Sequence, residues 1–195
     1  MWERMIFGCD SYHVILWFLA YSILGWFIES TYMSICNRKF INRGFAKGPI
    51  CPIYGVGALT VFFLLRPYSN SAIMLFLLGS LLATVIELVT AIIMKQIFGE
   101  VWWDYKDKPF NYKGVLCLES SIAWGLYTIF LFAFLQKIIM RLVAKVPFEI
   151  GRIAGSIILF LFIIDFLRSL YKEKKDILPG NAAEFKEMIL NRILK

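Results

Sequence analysis

Two glutamates carry the strongest chemical signal in the sequence. Glu29 and Glu87 each lie inside a long apolar stretch. A carboxylate deep in a membrane helix costs about 2.5–3.5 kcal/mol even on lenient insertion scales. It is retained where it faces a cavity, pairs with a cation or holds a proton. Two readings follow: a substrate, ion or proton site, or a buried ion pair that locks two helices.

Arg43 is the natural partner of these carboxylates. It sits in Asn42-Arg43-Gly44-Phe45-Ala46-Lys47-Gly48-Pro49, a polar, glycine-rich loop between apolar stretches. Gly44 and Gly48 let the backbone turn and leave N–H groups free for an anion or headgroup. The guanidinium is a planar fork suited to carboxylate or phosphate. The same segment also reads as an ordinary loop carrying orienting charge. Cys51 and Tyr54 open the next apolar stretch, where Pro52, Gly55 and Gly57 permit close packing. Further along, Trp102-Trp103-Asp104-Tyr105 reads either as an interfacial aromatic belt or as a lid over the site, with Asp104 pairing Arg43 or Lys113. Glu119 is a candidate for the same cluster. Asp165 and Arg168, three apart, suit an intrahelical pair.

Other chemistries are poorly provided for. The sequence has no Walker A loop, HExxH, GxSxG or aspartate-rich prenyl motif, so no ATPase or hydrolase activity is expected. The single His13 falls at the far end of its span from Cys51, which argues against thiol catalysis. Four scattered Cys without CxxC spacing predict neither a zinc site nor a disulfide framework. No metal and no cofactor are expected.

The elements that must position these residues are membrane helices. Of 195 residues, 59% are hydrophobic and the mean hydropathy is +0.69. An ordinary soluble domain is roughly 45–50% apolar. The pattern predicts an all-α, polytopic transmembrane bundle of about five spans. They run from about Ser11 to Ile35, Ile50 to Leu65, Ala72 to Phe98, Gly114 to Ile139 and Ile153 to Leu170. The second is short for crossing and starts among prolines, so part of it is expected to be re-entrant. Residues 1–170 would form the membrane domain. Residues 171–195 would form a charged cytoplasmic tail, with an amphipathic helix from Asn181 to Leu194. The net charge of +7 lies between and after the spans, where it sets topology against anionic lipid and is not a nucleic-acid footprint. With the N-terminus outside, fifteen Lys and Arg fall inside and six outside, which favours N-out, C-in.

A weak internal repeat is visible. Spans one and two resemble spans three and four, with Glu29 and Glu87 at matching depth. Phe40-Ile41-Asn42-Arg43-Gly44 answers to Phe110-Asn111-Tyr112-Lys113-Gly114, Cys51 to Cys117 and Tyr54-Gly55 to Trp124-Gly125. A tandem two-helix unit would give a parallel repeat.

An ordered set of residues also resembles a known family. Gly25-Trp26-Phe27-Ile28-Glu29, Asn42-Arg43-Gly44-Phe45, Gly48-Pro49, Cys51-Pro52-Ile53-Tyr54-Gly55, Glu87, Trp103-Asp104-Tyr105 and Ala123-Trp124-Gly125 resemble the bacterial "putative ABC-transporter type IV" permeases, the CmpB-like proteins. The resemblance covers roughly Tyr21 to Tyr127. It implies a multi-pass protein of the bacterial cytoplasmic membrane and a transport role for an unknown substrate. Glu119 departs from the family's pattern. The expected function is a transport component with a polar site near the cytoplasmic side. Its partners would be membrane lipids and either further copies of itself or an ATPase subunit. Two alternatives stand beside it: an enzyme acting on a lipid or phosphorylated headgroup, and a non-catalytic assembly or regulatory protein.

Overall fold

The computed structural model describes residues 2, 4–44 and 47–177. The chain begins with a two-stranded hairpin, β1 (Met5–Ile6) and β2 (Cys9–Asp10), in antiparallel register with Met5 opposite Asp10. Helix α1 (Ser11–Asn37) follows at once. Asp10 caps its N-terminus, accepting from the His13 backbone N–H at 2.9 Å, which satisfies one of the orphan donors of the first turn. Then come α2 (Pro52–Leu65), a 3₁₀ turn at Arg66–Tyr68, and α3 (Ala72–Phe98), capped by Ser71. A second hairpin, β3 (Asn111–Tyr112) with β4 (Leu116–Cys117), leads into α4 (Leu118–Phe130). One π-helical turn, Leu131–Leu135, joins α4 to α5 (Gln136–Ala144), and α6 (Phe148–Ile177) ends the described chain.

Among the described residues the bundle is all-α with five helical rods, as the sequence predicts. Four are long and apolar enough to cross a membrane: Ser11–Asn37, Ala72–Phe98, Leu118–Ala144 and Phe148–Lys172. Much of the outward surface is apolar; on α3, Leu77, Leu81, Val85, Val89 and Ile92 form an exposed stripe, the lipid-facing side of a rod whose other side packs inward. Four boundaries differ from expectation, among them the end of the last helix, which runs on to Ile177 past the expected Leu170 and into the expected tail. Gly114–Cys117 is not the start of the fourth span, because it turns and pairs as β4. That span also continues to Ala144, and the last one starts at Phe148, directly after Pro147. The expected Asn181–Leu194 helix lies outside the described residues.

The second rod is the short one. Its 14 residues rise about 21 Å, against about 30 Å of hydrocarbon. On either side of residues 45–46, non-helical chain between α1 and α2 runs back along α1. Backbone in hydrocarbon must find its hydrogen bonds within the protein, and α1 supplies partners at four-residue intervals. Ile41 N donates to Ser34 Oγ at 2.9 Å, Arg43 N to Ser30 Oγ at 3.1 Å and Cys51 N to the Ser22 carbonyl at 3.0 Å. Trp26 Nε1 donates to Asn42 Oδ1 at 2.6 Å. Positions 22, 26, 30 and 34 lie one above another on the helix. The expected re-entrant entry is therefore a strip of chain laid on a polar ladder.

The two hairpins α1–α2 and α3–α4 repeat one another in detail. A shift of 58 residues along the first helix and 70 along the second superposes their contacts. Gly55 lies against Ser22 and Phe18, and Gly125 against Ser80 and Phe76. Both serine hydroxyls are buried with no hydrogen-bond partner among the described residues. The sixth helix lies outside the repeat. Near its start Gly151 abuts the Tyr12 hydroxyl and Phe148 packs on the Tyr12 ring. Further along, Asp165 Oδ2 accepts from Gly48 N at 2.7 Å, so α6 runs parallel to α1 and fastens the re-entrant strip. The predicted Asp165–Arg168 pairing gives way to this bond.

A methyl at Gly55 would meet the Ser22 hydroxyl and lie 2.7 Å from the Phe18 carbonyl oxygen, whereas one at Gly57 meets nothing. Gly55→Ala should cost about 1–3 kcal/mol by overpacking, and Gly57→Ala should be neutral or gain up to about 1 kcal/mol of helix propensity. Thermal unfolding in detergent separates them; equal melting temperatures for the two variants would refute the close crossing.

Candidate functional site

Both carboxylates lie on the same side of their hairpins, each two turns or more before its helix ends, and each is gripped by the loop that follows. Glu29 is half-buried. Its Oε1 receives Arg43 Nε at 2.9 Å and its Oε2 the Tyr54 hydroxyl at 2.7 Å. The chain that reaches it is the strip laid on α1: Ser30 fixes the Arg43 backbone, and Trp26 fixes Asn42. Asn42 also donates to the Lys47 carbonyl at 2.9 Å and accepts from Gly44 N at 2.9 Å. The expected Glu29–Arg43 partnership is formed. The contact uses the Nε–H of the guanidinium.

Glu87 is the more enclosed, with 7% of its surface exposed. Its Oε1 accepts from the Tyr105 hydroxyl at 3.0 Å. Its Oε2 accepts from Trp124 Nε1 at 3.1 Å and from Ser120 Oγ at 3.4 Å. All three partners are neutral donors, and no Lys or Arg among the described residues is paired with it. In the repeat, Trp124 stands where Tyr54 stands and Tyr105 does the work of Arg43. Trp124 and Ser120 were not among the expected site residues, although Trp124-Gly125 had been matched to Tyr54-Gly55.

The loop between α3 and β4 is built largely on itself. Tyr105 N donates to the Gly114 carbonyl at 2.9 Å, Trp103 Nε1 to the Val115 carbonyl at 2.9 Å, and Asn111 Nδ2 to the Lys106 and Lys108 carbonyls at 3.0 and 2.8 Å. Burial, and behind it the Glu87 carboxylate, hold the Tyr105 phenol above its ordinary pKa, so it remains the donor. Trp103 thus shapes the loop and Tyr105 closes on Glu87.

The remaining expected members fall elsewhere. Asp104 meets neither Arg43 nor Lys113. Its side chain accepts from Lys106 N at 2.9 Å and faces Lys106 Nζ at 3.3 Å, and the Lys106 backbone N–H lowers its pKa. Lys113 lies over the Tyr112 ring, 5.5 Å from its centroid. Glu119 points away and pairs with Lys108 at 2.8 Å on the exposed surface, an arrangement worth little in energy. Cys51 is buried beside Glu29 and Arg43 and serves as the N-cap position of α2. Among the described residues no group of His, Cys, Asp and Glu is arranged to hold a metal.

The two half-sites make different energetic statements. Removing one member of a buried pair strands the other charge. Arg43→Gln should therefore cost about 1–3 kcal/mol, discounted from a fully buried pair because both groups are partly exposed. Arg43→Gln/Glu29→Gln should recover part of that loss. A double-mutant cycle by thermal unfolding reads this directly, and strictly additive losses would show the contact to be incidental.

The family model described as "Putative ABC-transporter type IV" matches residues 16–170 of the chain. No curated protein and no solved structure matches it.

Proposed function

The chain belongs to the putative ABC-transporter type IV family, and we propose that it is the membrane-embedded component of a transporter whose working site is the pair of carboxylates Glu29 and Glu87 with the loops that close on them. The observation that carries this reading is Glu87, a buried carboxylate inside an apolar helix held only by neutral donors. Purely structural carboxylates at such depth are normally paired with a cation. Glu29 has that pairing and Glu87 lacks it. In this reading Glu29, Arg43 and Tyr54 hold the re-entrant strip in place, with Asn42, Gly44, Gly48 and Cys51 shaping it. Glu87 and Tyr105 engage the cargo or the coupling ion, and Trp103 sets the loop that covers them. Lys113, Asp104 and Glu119 line the loop's outer surface.

The chain carries no nucleotide-binding motif. A member of this family therefore takes its energy from a partner ATPase subunit, and its small size favours assembly with further copies of itself. It sits among lipids of a bacterial cytoplasmic membrane, N-terminus out. The basic residues at the end bearing the 38–51 and 99–117 loops support that orientation.

Affinity purification of the tagged full chain from its native membrane should retrieve a nucleotide-binding subunit. ATP turnover by the reconstituted complex should fall at least tenfold in Glu87→Gln while assembly persists. A chain that retrieves no such subunit, or a complex whose turnover ignores Glu87→Gln, would end this reading.

A further inference from the structure

The internal repeat allows each position around Glu87 to be compared with its counterpart around Glu29. In the first hairpin the negative charge is met by a tethered cation, Arg43. In the second, the loop donor is the neutral Tyr105. The surrounding positions change as well. Trp26 of the first helix is answered by Thr84 in the second. The N-caps Cys51 and Cys117 answer one another, and α4 begins with Ser120 and Ser121 in its first turns where α2 begins with Ile53 and Tyr54.

Those hydroxyls are already gathered. Thr84 Oγ1 donates to Ser121 Oγ at 2.9 Å. The Cys117 carbonyl accepts from Ser120 Oγ at 2.9 Å and Ser121 Oγ at 3.1 Å. Ser120 Oγ also reaches Glu87 Oε2 at 3.4 Å. One carboxylate, three hydroxyls and one backbone carbonyl thus form a connected set of oxygens. Hard cations are bound by such sets of carboxylate, carbonyl and hydroxyl oxygens. A single carboxylate suits one positive charge. Two neighbouring neutral donors, Tyr105 and Trp124, can stay on the carboxylate while the hydroxyls rotate their hydrogens away and offer lone pairs.

We propose that Glu87, Thr84, Ser120, Ser121 and the Cys117 carbonyl form a binding site for sodium, a mobile cation that takes the electrostatic place of Arg43 in the second half of the repeat. The inference deepens the reading of Glu87 as the working site, but it requires only binding and not transport.

The test uses the purified full chain in detergent, with NaCl compared against KCl and choline chloride at equal ionic strength. Sodium at about a hundred times its Kd should raise the melting temperature by about 5 °C or more, with little response to the other two salts. Glu87→Gln and Ser121→Ala should each abolish the sodium shift, and the conservative Ser121→Thr should retain it. Glu119→Gln, which alters only the exposed pair, should also retain it. If Glu87→Gln does not fold, Ser121→Ala alone decides, because it removes one oxygen and no packing bulk. Equal shifts in all three salts, or a sodium shift that survives Ser121→Ala, would overturn the site. A complex that turns over ATP without any sodium response would overturn this inference while leaving the transport reading intact.

Discussion

Everything at the functional end of this molecule depends on one constraint: non-helical backbone inside a membrane must be satisfied by the protein itself. Among its described residues, the segment after α1 is tied back to that helix at Ser34, Ser30, Trp26 and Ser22, and to Asp165 on α6. The ladder explains why polar side chains recur every fourth residue in a helix that is otherwise apolar. With the strip fixed, Arg43 arrives at Glu29 with its backbone already bonded, so little conformational freedom remains to be lost in forming the pair.

The same duplicated hairpin is used to different ends. The glycine crossings, Gly55 on Ser22 and Gly125 on Ser80, are superposable in their contacts, and both carboxylates receive an aromatic donor from the residue before the glycine. The scaffold is therefore symmetric where the helices cross. It departs from symmetry at the loop donors and at the positions flanking the carboxylates. A cationic latch and a neutral, hydroxyl-lined carboxylate are different electrostatic objects at equivalent depth. The cost of burying a charge is met internally in the first. In the second, the carboxyl group is held by three hydrogen bonds from neutral donors.

Much of this was legible in the sequence, for physical reasons. Hydropathy and length fix the apolar rods, because a span must be continuous to be inserted. Glu29, Glu87 and Arg43 stand out because charge in such surroundings is rare. What the sequence hid were features set by three-dimensional approach. Gly114–Cys117 looks apolar enough to begin a helix but pairs with Asn111–Tyr112. Asp104, surrounded by lysines, resembles a site acid but closes on its own neighbour Lys106. Asp165 looks like half of an i,i+3 pair, yet a backbone N–H brought in from a loop 117 residues away outcompetes Arg168. Ser120 and Ser121 carry no charge to advertise them, and their relevance appears only beside Glu87. Trp124 was readable through the repeat, as the partner of Tyr54.

The two loops differ in how they are attached, and this bears on what Glu87 does. The first is bonded to helices at Ile41, Asn42, Arg43, Gly48 and Cys51, so displacing it means breaking several hydrogen bonds at once. Several bonds of the second close within it, through Trp103, Tyr105 N and Asn111, and it also reaches the helices through Tyr105 to Glu87 and Lys108 to Glu119. The Lys108 link is exposed and weak. Glu87 is therefore both the centre of the polar cluster and the main polar anchor of the loop that covers it. A change in charge at this carboxylate alters the strength of the Tyr105 hydrogen bond, because bonds to an ionised acceptor are roughly twice as strong as neutral ones. The contact between this loop and Glu87 thus runs through a neutral phenol at Oε1, where the first half of the repeat has the charged Arg43.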